Sequence, residues 1–178
     1  MRLRAIEPDE WEPFFLLNAD TELARLGGYT HVPVSRSSTR QWAEEASKRK
    51  EGDEVTLRVE TLDGGAVGSI TVARTDRRNG LFTYGLGIGR EQWRHGYGTE
   101  AVVLLLRFYF GELAYRKVET KVYGFNDASL QFHERLGFQR EGCRRAAHYT
   151  AGQYHDIILF GMTSEEFYEH HGRRDTGR

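Results

Sequence analysis

The sequence is poor in cysteine and in net charge, and it has no long apolar run. Its single cysteine, Cys143, excludes an internal disulfide framework and a multi-cysteine zinc site. With 25 Lys and Arg against 26 Asp and Glu, the net charge of −1 argues against nucleic acid or an anionic membrane as the main partner. The longest apolar run, Ala101–Leu106, is far shorter than the ~20 residues of a membrane span, and Met1–Glu10 lacks a signal-peptide core. We therefore expect a cytoplasmic protein that binds no metal, nucleic acid or membrane.

The length favours a single domain. At roughly 150 residues per domain, 178 residues make one folded unit. Neither an internal repeat nor a Pro- or Ser-rich linker divides the chain. We place the domain at residues 1–165 and a polar C-terminal tail at residues 166–178.

The pattern of apolar residues predicts a mixed α/β sheet. It indicates strands at residues 1–6, 54–60, 66–75, 81–89, 117–124, 139–147 and 154–162, and helices at residues 8–17, 35–49, 99–113 and 126–136. Turn signals at Asp63–Gly65 and Asn79–Gly80 join the middle three strands into an antiparallel meander. The helix at Thr99–Leu113 is apolar nearly all round and separates two strands, which should therefore run parallel. The last two strands form a closing hairpin around Ala151–Gly152.

A glycine-rich turn connects the fourth strand to the long apolar helix. Gly96 and Gly98 precede a helix start at Thr99, where successive N–H groups can bind phosphate. The plain alternative is a strand–helix turn whose glycines adopt positive φ. The motif G-x-x-x-x-G-K-[ST] occurs nowhere in the sequence, and G-x-G-x-x-G is absent because Arg90, Gln92 and Ala101 stand where its third glycine would be. A P-loop and a dinucleotide-binding turn are therefore excluded.

Two segments resemble the signatures of the GCN5-related N-acetyltransferases. The segment Gln92-Trp-Arg-His-Gly-Tyr-Gly-Thr-Glu-Ala101 resembles the acyl-CoA pyrophosphate loop of that superfamily. The segment Asn126-Asp-Ala-Ser-Leu-Gln-Phe-His-Glu-Arg-Leu-Gly-Phe138 resembles its second signature. The first segment is most similar to the ribosomal-protein N-terminal alanine and polyamine acetyltransferases, in which a tryptophan such as Trp93 commonly replaces the usual Arg or Gln. The resemblance covers about residues 1–162.

The resemblance implies an acyl-CoA N-acyltransferase fold, with a mostly antiparallel sheet and helices on both faces. Acetyl-CoA would lie between two splayed parallel strands. Backbone groups of Leu86, Gly87 and Ile88 would bind its pantetheine arm. A bulged strand would also explain Gly85, Gly87 and Gly89, and a bulge is compatible with close approach of the cofactor. The pyrophosphate would be held by N–H groups of Arg94, His95, Gly96, Tyr97, Gly98 and Thr99.

The helix at residues 126–136 carries the catalytic candidates. Asn126 suits an N-cap, and the spacing of Ser129, Phe132 and His133 puts them on one face. By the resemblance, Asn126, Ser129 and His133 are catalytic, while Asn126, Ser129 and Phe132 also contact the cofactor and Arg135 reaches its 3′-phosphate. His133 stands where many relatives carry a tyrosine general acid. Either His133 donates a proton to the leaving sulfur, or Ser129 hydrogen-bonds that sulfur and His133 packs against the cofactor.

The resemblance also implies an acceptor site and a reaction. The acceptor contacts expected by analogy are Tyr29, His31, Tyr84, Tyr154 and Asp156. The expected reaction transfers an acetyl group from acetyl-CoA to a primary amine by direct attack in a ternary complex. The amine would be a protein N-terminus, a polyamine or another small amine. The alternatives are a non-catalytic acyl-CoA sensor or interaction domain on the same fold and a generic nucleotide-phosphate binder. An exposed edge strand near the C-terminus favours a homodimer.

Overall fold

The computed structural model describes residues 1–28, 33–49 and 54–172, which form one mixed sheet flanked by helices. Seven strands lie in these residues: β1 (Arg2–Ala5), β2 (Val55–Glu60), β3 (Ala66–Asp76), β4 (Leu81–Ile88), β5 (Lys117–Tyr123), β6 (Gln139–Thr150) and β7 (Gln153–Thr163). The helices are α1 (Glu12–Ala19), α2 (Thr21–Leu26), α3 (Arg36–Ser47), α4 (Tyr97–Gly111), α5 (Asp127–Arg135) and α6 (Ser164–His171). A 3₁₀ turn at Arg90–Gln92 separates β4 from α4.

The strands follow the order β1-β2-β3-β4-β5-β7-β6 across the sheet. Strands β1 to β4 are antiparallel to their neighbours, as are β5 and β6 to the intervening β7. Among the described strands, only β4 and β5 pair in parallel, and α4 connects them along the chain. The predicted mixed sheet, central meander, parallel pair and closing hairpin are all confirmed.

The main core lies between α4 and one face of the sheet. Val102, Leu105 and Leu106 on α4 are each at most 1% exposed. Phe82 on β4 stacks on Tyr109 of α4, with ring centroids 4.4 Å apart. Full burial of such a side chain contributes about 1.5–3 kcal/mol, so this packing determines where α4 lies on β4.

A buried charge network attaches the first helices to the opposite face of the sheet. Alternation along β1 and β2 points Arg4 and Arg58 away from the main core. Glu60, 1% exposed, pairs with Arg4 at 2.9 Å and with Arg58 at 3.1 Å. Both arginines also pair with Glu10, just before α1, at 2.6 Å. The hydrogen bond from Arg4 lowers the pKa of Glu60 to about 2, although burial opposes this shift.

Three short elements were not predicted from the sequence: α2, the 3₁₀ turn and α6. A capping box formed by Thr163 and Glu166 opens α6. Phe167 is completely buried, with its ring 5.6 Å from that of Phe110 on α4. Residues 166–171 therefore lie in the folded unit, although composition assigned them to a polar tail. One fully buried side chain among charged residues is too weak a signal for composition to detect.

Two surface properties bear on the partners expected from the sequence. Strand β6 forms one edge of the sheet, and most of its residues are exposed. The homodimer expected from this edge stays a prediction, as does the cytoplasmic location. Within the three described ranges, no helix is long and apolar enough to cross a membrane.

Candidate active site

Strands β4 and β5 separate after a short paired stretch. Their parallel pairing extends only from Leu81 to Thr83 on β4 and from Lys117 to Glu119 on β5. The Thr120 hydroxyl then donates a hydrogen bond to the Tyr84 carbonyl at 3.1 Å, so a side chain replaces the next backbone contact. Strand β5 stays paired with β7 on its other side. A gap therefore opens between the second halves of β4 and β5.

Backbone groups of β4 face this gap. Peptide groups alternate sides along a strand, and the Tyr84 carbonyl faces β5, so the peptide groups of Leu86 and Ile88 do too. The Ile88 carbonyl accepts a hydrogen bond from the Trp93 indole at 2.7 Å. By the same alternation, Gly87 directs its peptide groups toward Ser69 of β3. The arm of a ligand can therefore pair with Leu86 and the Ile88 N–H, whereas Gly87 contributes space.

The glycines of β4 leave room beside the strand. A Cβ atom on Gly85 would meet nothing within 4 Å, and one on Gly87 would meet only Ser69 Oγ, at 4.0 Å. The pairing of β3 with β4 is regular along this stretch and shifts only between Ala73 and Asp76. A bulge at the β4 glycines, the alternative considered from the sequence, is therefore wrong. Packing within the protein does not require glycine at these positions, which fits a closely approaching ligand.

The N-terminus of α4 has the features of an anion site. Its N-cap, Gly96, has φ of 82° and no side chain to accept a hydrogen bond. Arg94 also adopts a left-handed conformation, with φ of 65°. The N–H groups of the first turn have no partner within the helix, and the helix dipole places positive charge there. This end of α4, beginning at Tyr97, can therefore hold a diphosphate.

Three elements meet at Gly98 in the first turn of α4. A Cβ atom there would lie 3.4 Å from Leu86 Cδ2 on β4 and 3.4 Å from Phe132 Cε2 on α5. The anion site, the gap-facing strand and the predicted cofactor face of α5 are therefore contiguous. His95, beside this turn, stacks on Tyr97 with ring centroids 5.8 Å apart.

Asn126 holds the start of α5 in place. Its Oδ1 accepts a hydrogen bond from the Ser129 N–H at 3.1 Å, as the N-cap prediction requires. Its Nδ2 donates to the Leu26 carbonyl at 3.1 Å, at the end of α2. The amide therefore bridges α5 and α2, a contact that helix spacing alone does not predict.

His133 is buried between α5 and the sheet. Its Nδ1 lies 2.8 Å from the Ser129 carbonyl, which can only accept, so Nδ1 carries the proton. Its Nε2 lies 2.9 Å from the Tyr84 hydroxyl and accepts a hydrogen bond from it. Burial lowers the pKa of His133 and raises that of Tyr84. In this arrangement both ring nitrogens of His133 are engaged by groups inside the protein.

The remaining residues expected on α5 lie nearer the surface. Ser129 is half-buried, with its Oγ 3.4 Å from His133 Nδ1. Phe132 is half-buried against the α4 turn, and Arg135 is exposed. The structure therefore brings Phe132 to the first turn of α4 and turns His133 inward, with Ser129 half-buried beside His133.

The acceptor contacts expected by analogy that lie in the described residues, Tyr84, Tyr154 and Asp156, have very different surroundings. Tyr84 is only 6% exposed, whereas Tyr154 is 70% exposed at the tip of the last hairpin. Asp156 accepts the Ala146 N–H at 2.8 Å and so stabilises an irregularity in β6. Tyr29 and His31 lie outside the described residues.

Thr83 and Glu119 form the base of the gap, a position that sequence reasoning missed. They form the last pair before β4 and β5 separate. Glu119 alternates with the apolar residues of β5, and a charged residue in that pattern is ordinarily assigned to solvent. Only the register between two distant segments reveals that it lies at the gap.

Comparisons with known proteins agree with this geometry. A family model of the acetyltransferase (GNAT) domain matches residues 1–139. The chain is 41% identical over 172 residues to the SPbeta prophage-derived uncharacterized N-acetyltransferase YokL of Bacillus subtilis, covering 97% of this chain and 94% of that protein. The spermidine N-acetyltransferase from Vibrio cholerae, solved in complex with CoA and spermine, shares the fold with a TM-score of 0.84 at 17% identity, over 93% of this chain and 96% of that one. The chain therefore belongs to the GNAT family and is an acetyl-CoA-dependent acetyltransferase.

Proposed function

We propose that the protein transfers an acetyl group from acetyl-CoA to a primary amine by direct attack in a ternary complex. The observation that carries the proposal is the gap between β4 and β5, which runs from unpaired peptide groups of Leu86 to the uncapped N-terminus of α4. A strand edge suits an amide-containing arm, and a helix N-terminus suits its diphosphate. The CoA bound to the Vibrio cholerae enzyme of the same fold supports this assignment.

The chemistry needs little from the protein beyond orientation and polarisation. Acetyl-CoA supplies the acyl group as a thioester. The amine nitrogen bonds to the carbonyl carbon as the carbon–sulfur bond breaks, and the electron pair of that bond leaves on sulfur. The nitrogen loses a proton to water, and the sulfur takes one up from water. N–H groups of Leu86 and Ile88, pointing into the gap, would stabilise the charge that develops on the carbonyl oxygen.

Ser129 is the better candidate for the leaving sulfur. Ser129 is half-buried, whereas both nitrogens of His133 are engaged inside the protein. A thiol has a reference pKa of about 8.5, so a hydrogen bond to the thiolate is enough to assist its departure near neutral pH. His133 then acts as a positioning residue that ties α5 to β4 through Tyr84.

Release of free thiol from acetyl-CoA tests the proposed reaction. The acceptors to compare are a peptide with a free N-terminus, a polyamine and an aminoglycoside. Turnover with any of them supports the transferase. Binding of CoA without thiol release for every amine would indicate the sensor instead. Competition by ATP as strong as that by CoA would indicate a generic phosphate binder.

Two glycine variants test the position of the diphosphate. Gly96 and Gly64 both have positive φ, and a Cβ atom on either meets nothing within 4 Å. Alanine at each position therefore introduces the same backbone strain, about 1–2 kcal/mol. We expect Gly96→Ala to raise the KM for acetyl-CoA about tenfold, equivalent to about 1.4 kcal/mol of lost binding. Gly64→Ala, in the distant β2–β3 turn, should leave that KM unchanged; equal effects would contradict the assignment.

A further inference from the structure

Helix α2 extends from the end of β4 to the end of β5. At its start, the guanidinium of Arg90, two residues after β4, makes two hydrogen bonds to the Asp20 carboxylate. At its end, the Leu26 carbonyl accepts the hydrogen bond from Asn126, three residues after β5. The two strands that separate at the gap are therefore connected through one helix that comes from another part of the chain. The reaction proposed above gives this helix no role.

Helix α2 ends on the face of the sheet opposite to α4. Val122 on β5 belongs to the core that contains α4, and Tyr123 is the next residue along the strand, so the Tyr123 ring points to the other face. Gly28, two residues after α2, lies against this ring, because a Cβ atom on Gly28 would be 2.0 Å from Tyr123 Cζ. The end of α2 is therefore fixed on the face that α4 does not cover.

The same face is open beside the gap. Leu86 points toward α4, because its Cδ2 lies 3.4 Å from the position of a Cβ atom on Gly98. Gly85 and Gly87 alternate with Leu86, so the space beside these glycines lies on the other face. In the proposed reaction the cofactor reaches the gap past the first turn of α4. The acceptor therefore approaches the thioester from the face that carries α2.

Arg90 connects the start of α2 to the end of β4. Asp20 is the N-cap of α2, and its Oδ1 accepts the Leu23 N–H at 2.9 Å and Arg90 Nη2 at 3.2 Å. The same Nη2 donates to Glu22 Oε2 at 2.8 Å. The hydrogen bond from Arg90 holds the pKa of Asp20 below its usual range. The carboxylate that begins the helix is thus also the one that Arg90 holds, so the position of α2 depends on this arginine.

Arg90 is itself held close to the cofactor site. Its guanidinium lies over the Trp93 ring, 5.5 Å from the centroid, and the Trp93 indole donates its hydrogen bond to the Ile88 carbonyl. Ile88 is also a residue whose N–H points into the gap. Contacts therefore run from the gap-facing end of β4 through Trp93 and Arg90 to α2.

We propose that Arg90 is a positioning residue for the acceptor. By holding the start of α2 against the end of β4, it keeps α2 as one wall of the acceptor site, on the face opposite to α4. The guanidinium is engaged by Asp20 and Glu22, so it acts through α2 and not by contact with the cofactor or the reacting atoms. The assignment rests on the proposed function, because it needs an acceptor that approaches from this face.

The kinetics of Arg90→Gln test this role. Glutamine removes the charge that pairs with both carboxylates of α2 and its N-cap. KM for the acceptor should rise about fivefold, which corresponds to about 1 kcal/mol, the upper range for a partly exposed ion pair. Both kcat and KM for acetyl-CoA should stay unchanged. The acceptors are the peptide, the polyamine and the aminoglycoside, and KM is measured for each one that releases thiol.

Lys48→Gln is the matched control, because it removes another exposed ion pair, between Lys48 and Glu44 at 2.7 Å on the far side of α3 from this contact. It should change none of the three constants. For Arg90→Gln, an equal rise in both KM values, a fall in kcat alone, or no change at all would overturn the assignment.

A double-mutant cycle tests whether Arg90 acts through Asp20. Asparagine is as good an N-cap as aspartate, so Asp20→Asn keeps the start of α2 while it removes the charge that pairs with Arg90. Asp20→Asn should therefore also raise KM for the acceptor. Asp20→Asn/Arg90→Gln should raise it no further than Arg90→Gln alone. Effects that multiply in the double variant would mean that Arg90 acts independently of α2, contrary to the proposal.

Hydrogen exchange separates this inference from the proposed function. If no amine is acetylated, the proposed function fails, and the hold of Arg90 on α2 is still measurable. Amide exchange of residues 20–28 should be faster in Arg90→Gln than in the wild type, while exchange of residues 97–111 stays unchanged. Unchanged exchange of residues 20–28, or faster exchange throughout the protein, counts against the anchoring.

Discussion

The buried pair of Tyr84 and His133 provides the sharpest test of how the candidate active site is built. The hydroxyl and Nε2 are 2.9 Å apart, and the two residues are each 6% exposed. Tyr84→Phe leaves Nε2 without a donor, and His133→Phe leaves the hydroxyl without an acceptor. An orphaned buried polar group costs about 1–3 kcal/mol. For a chain of this size, Tm should fall by about 2–4 °C for each kcal/mol.

The double variant determines whether the two losses share one cause. Because Tyr84→Phe/His133→Phe replaces both partners by apolar rings, its cost should be smaller than the sum of the single costs by about 1–2 kcal/mol. Urea unfolding of the wild type and the three variants measures this difference. Tyr154→Phe, which removes the hydroxyl of an exposed tyrosine, is the control and should leave stability unchanged.

Kinetics of the same variants distinguish a positioning residue from a general acid. A positioning role predicts that Tyr84→Phe and His133→Phe change kcat and KM to similar, modest extents. A general acid at His133 contributes roughly 10²–10⁴-fold to the rate. A His133→Phe enzyme that keeps its stability and loses more than a hundredfold in kcat, beside a fully active Tyr84→Phe enzyme, would refute the reasoning.

Two further predictions concern stability. Glu60→Gln removes the buried negative charge that pairs with Arg4 on the sheet. We therefore expect urea unfolding to show a free energy of unfolding lower by about 3–5 kcal/mol. The exposed Glu54→Gln is the control and should leave that free energy unchanged. Because the pKa of Glu60 is about 2 in the folded state, against 4.5 ordinarily, its contribution is present above pH 4.5 and is lost as the pH falls toward 2. A wild-type urea midpoint no more acid-sensitive than that of Glu60→Gln would contradict this. Phe167→Ala should lower the free energy of unfolding by about 3–5 kcal/mol, whereas Phe108→Ala, at a residue 51% exposed, should lower it far less. Equal losses would contradict the packing of α6 against the core.

The sequence was sufficient to predict a helix or strand wherever the pattern of apolar residues lies within that one segment. The alternation in β2 and the nearly continuous apolar surface of α4 predicted both elements and the parallel pair that α4 connects. Helix α6 was missed because its one fully buried side chain, Phe167, stands among charged residues. Its capping box at Thr163 and Glu166 was nevertheless visible in the sequence.

The sequence predicted the candidate site only within single helices and strands, and not the contacts between them. Helical spacing put Ser129, Phe132 and His133 on one side of α5, but spacing does not say which of them reaches the gap. His133 turns inward because Tyr84, on β4, offers a donor in the core. Glycine spacing in β4 was equally consistent with a bulge, and only the β3 register excluded it.

The amino-acid sequence by itself determined the mixed sheet, the glycine-rich helix start and the family signatures, since each depends on residues close together in the chain. Tertiary structure alone decided that Leu86 faces the gap and that Thr83 meets Glu119 at its base. These positions depend on the register of β4 against β5, two strands that are far apart in the sequence and are brought together by the packing of α4 on one face of the sheet.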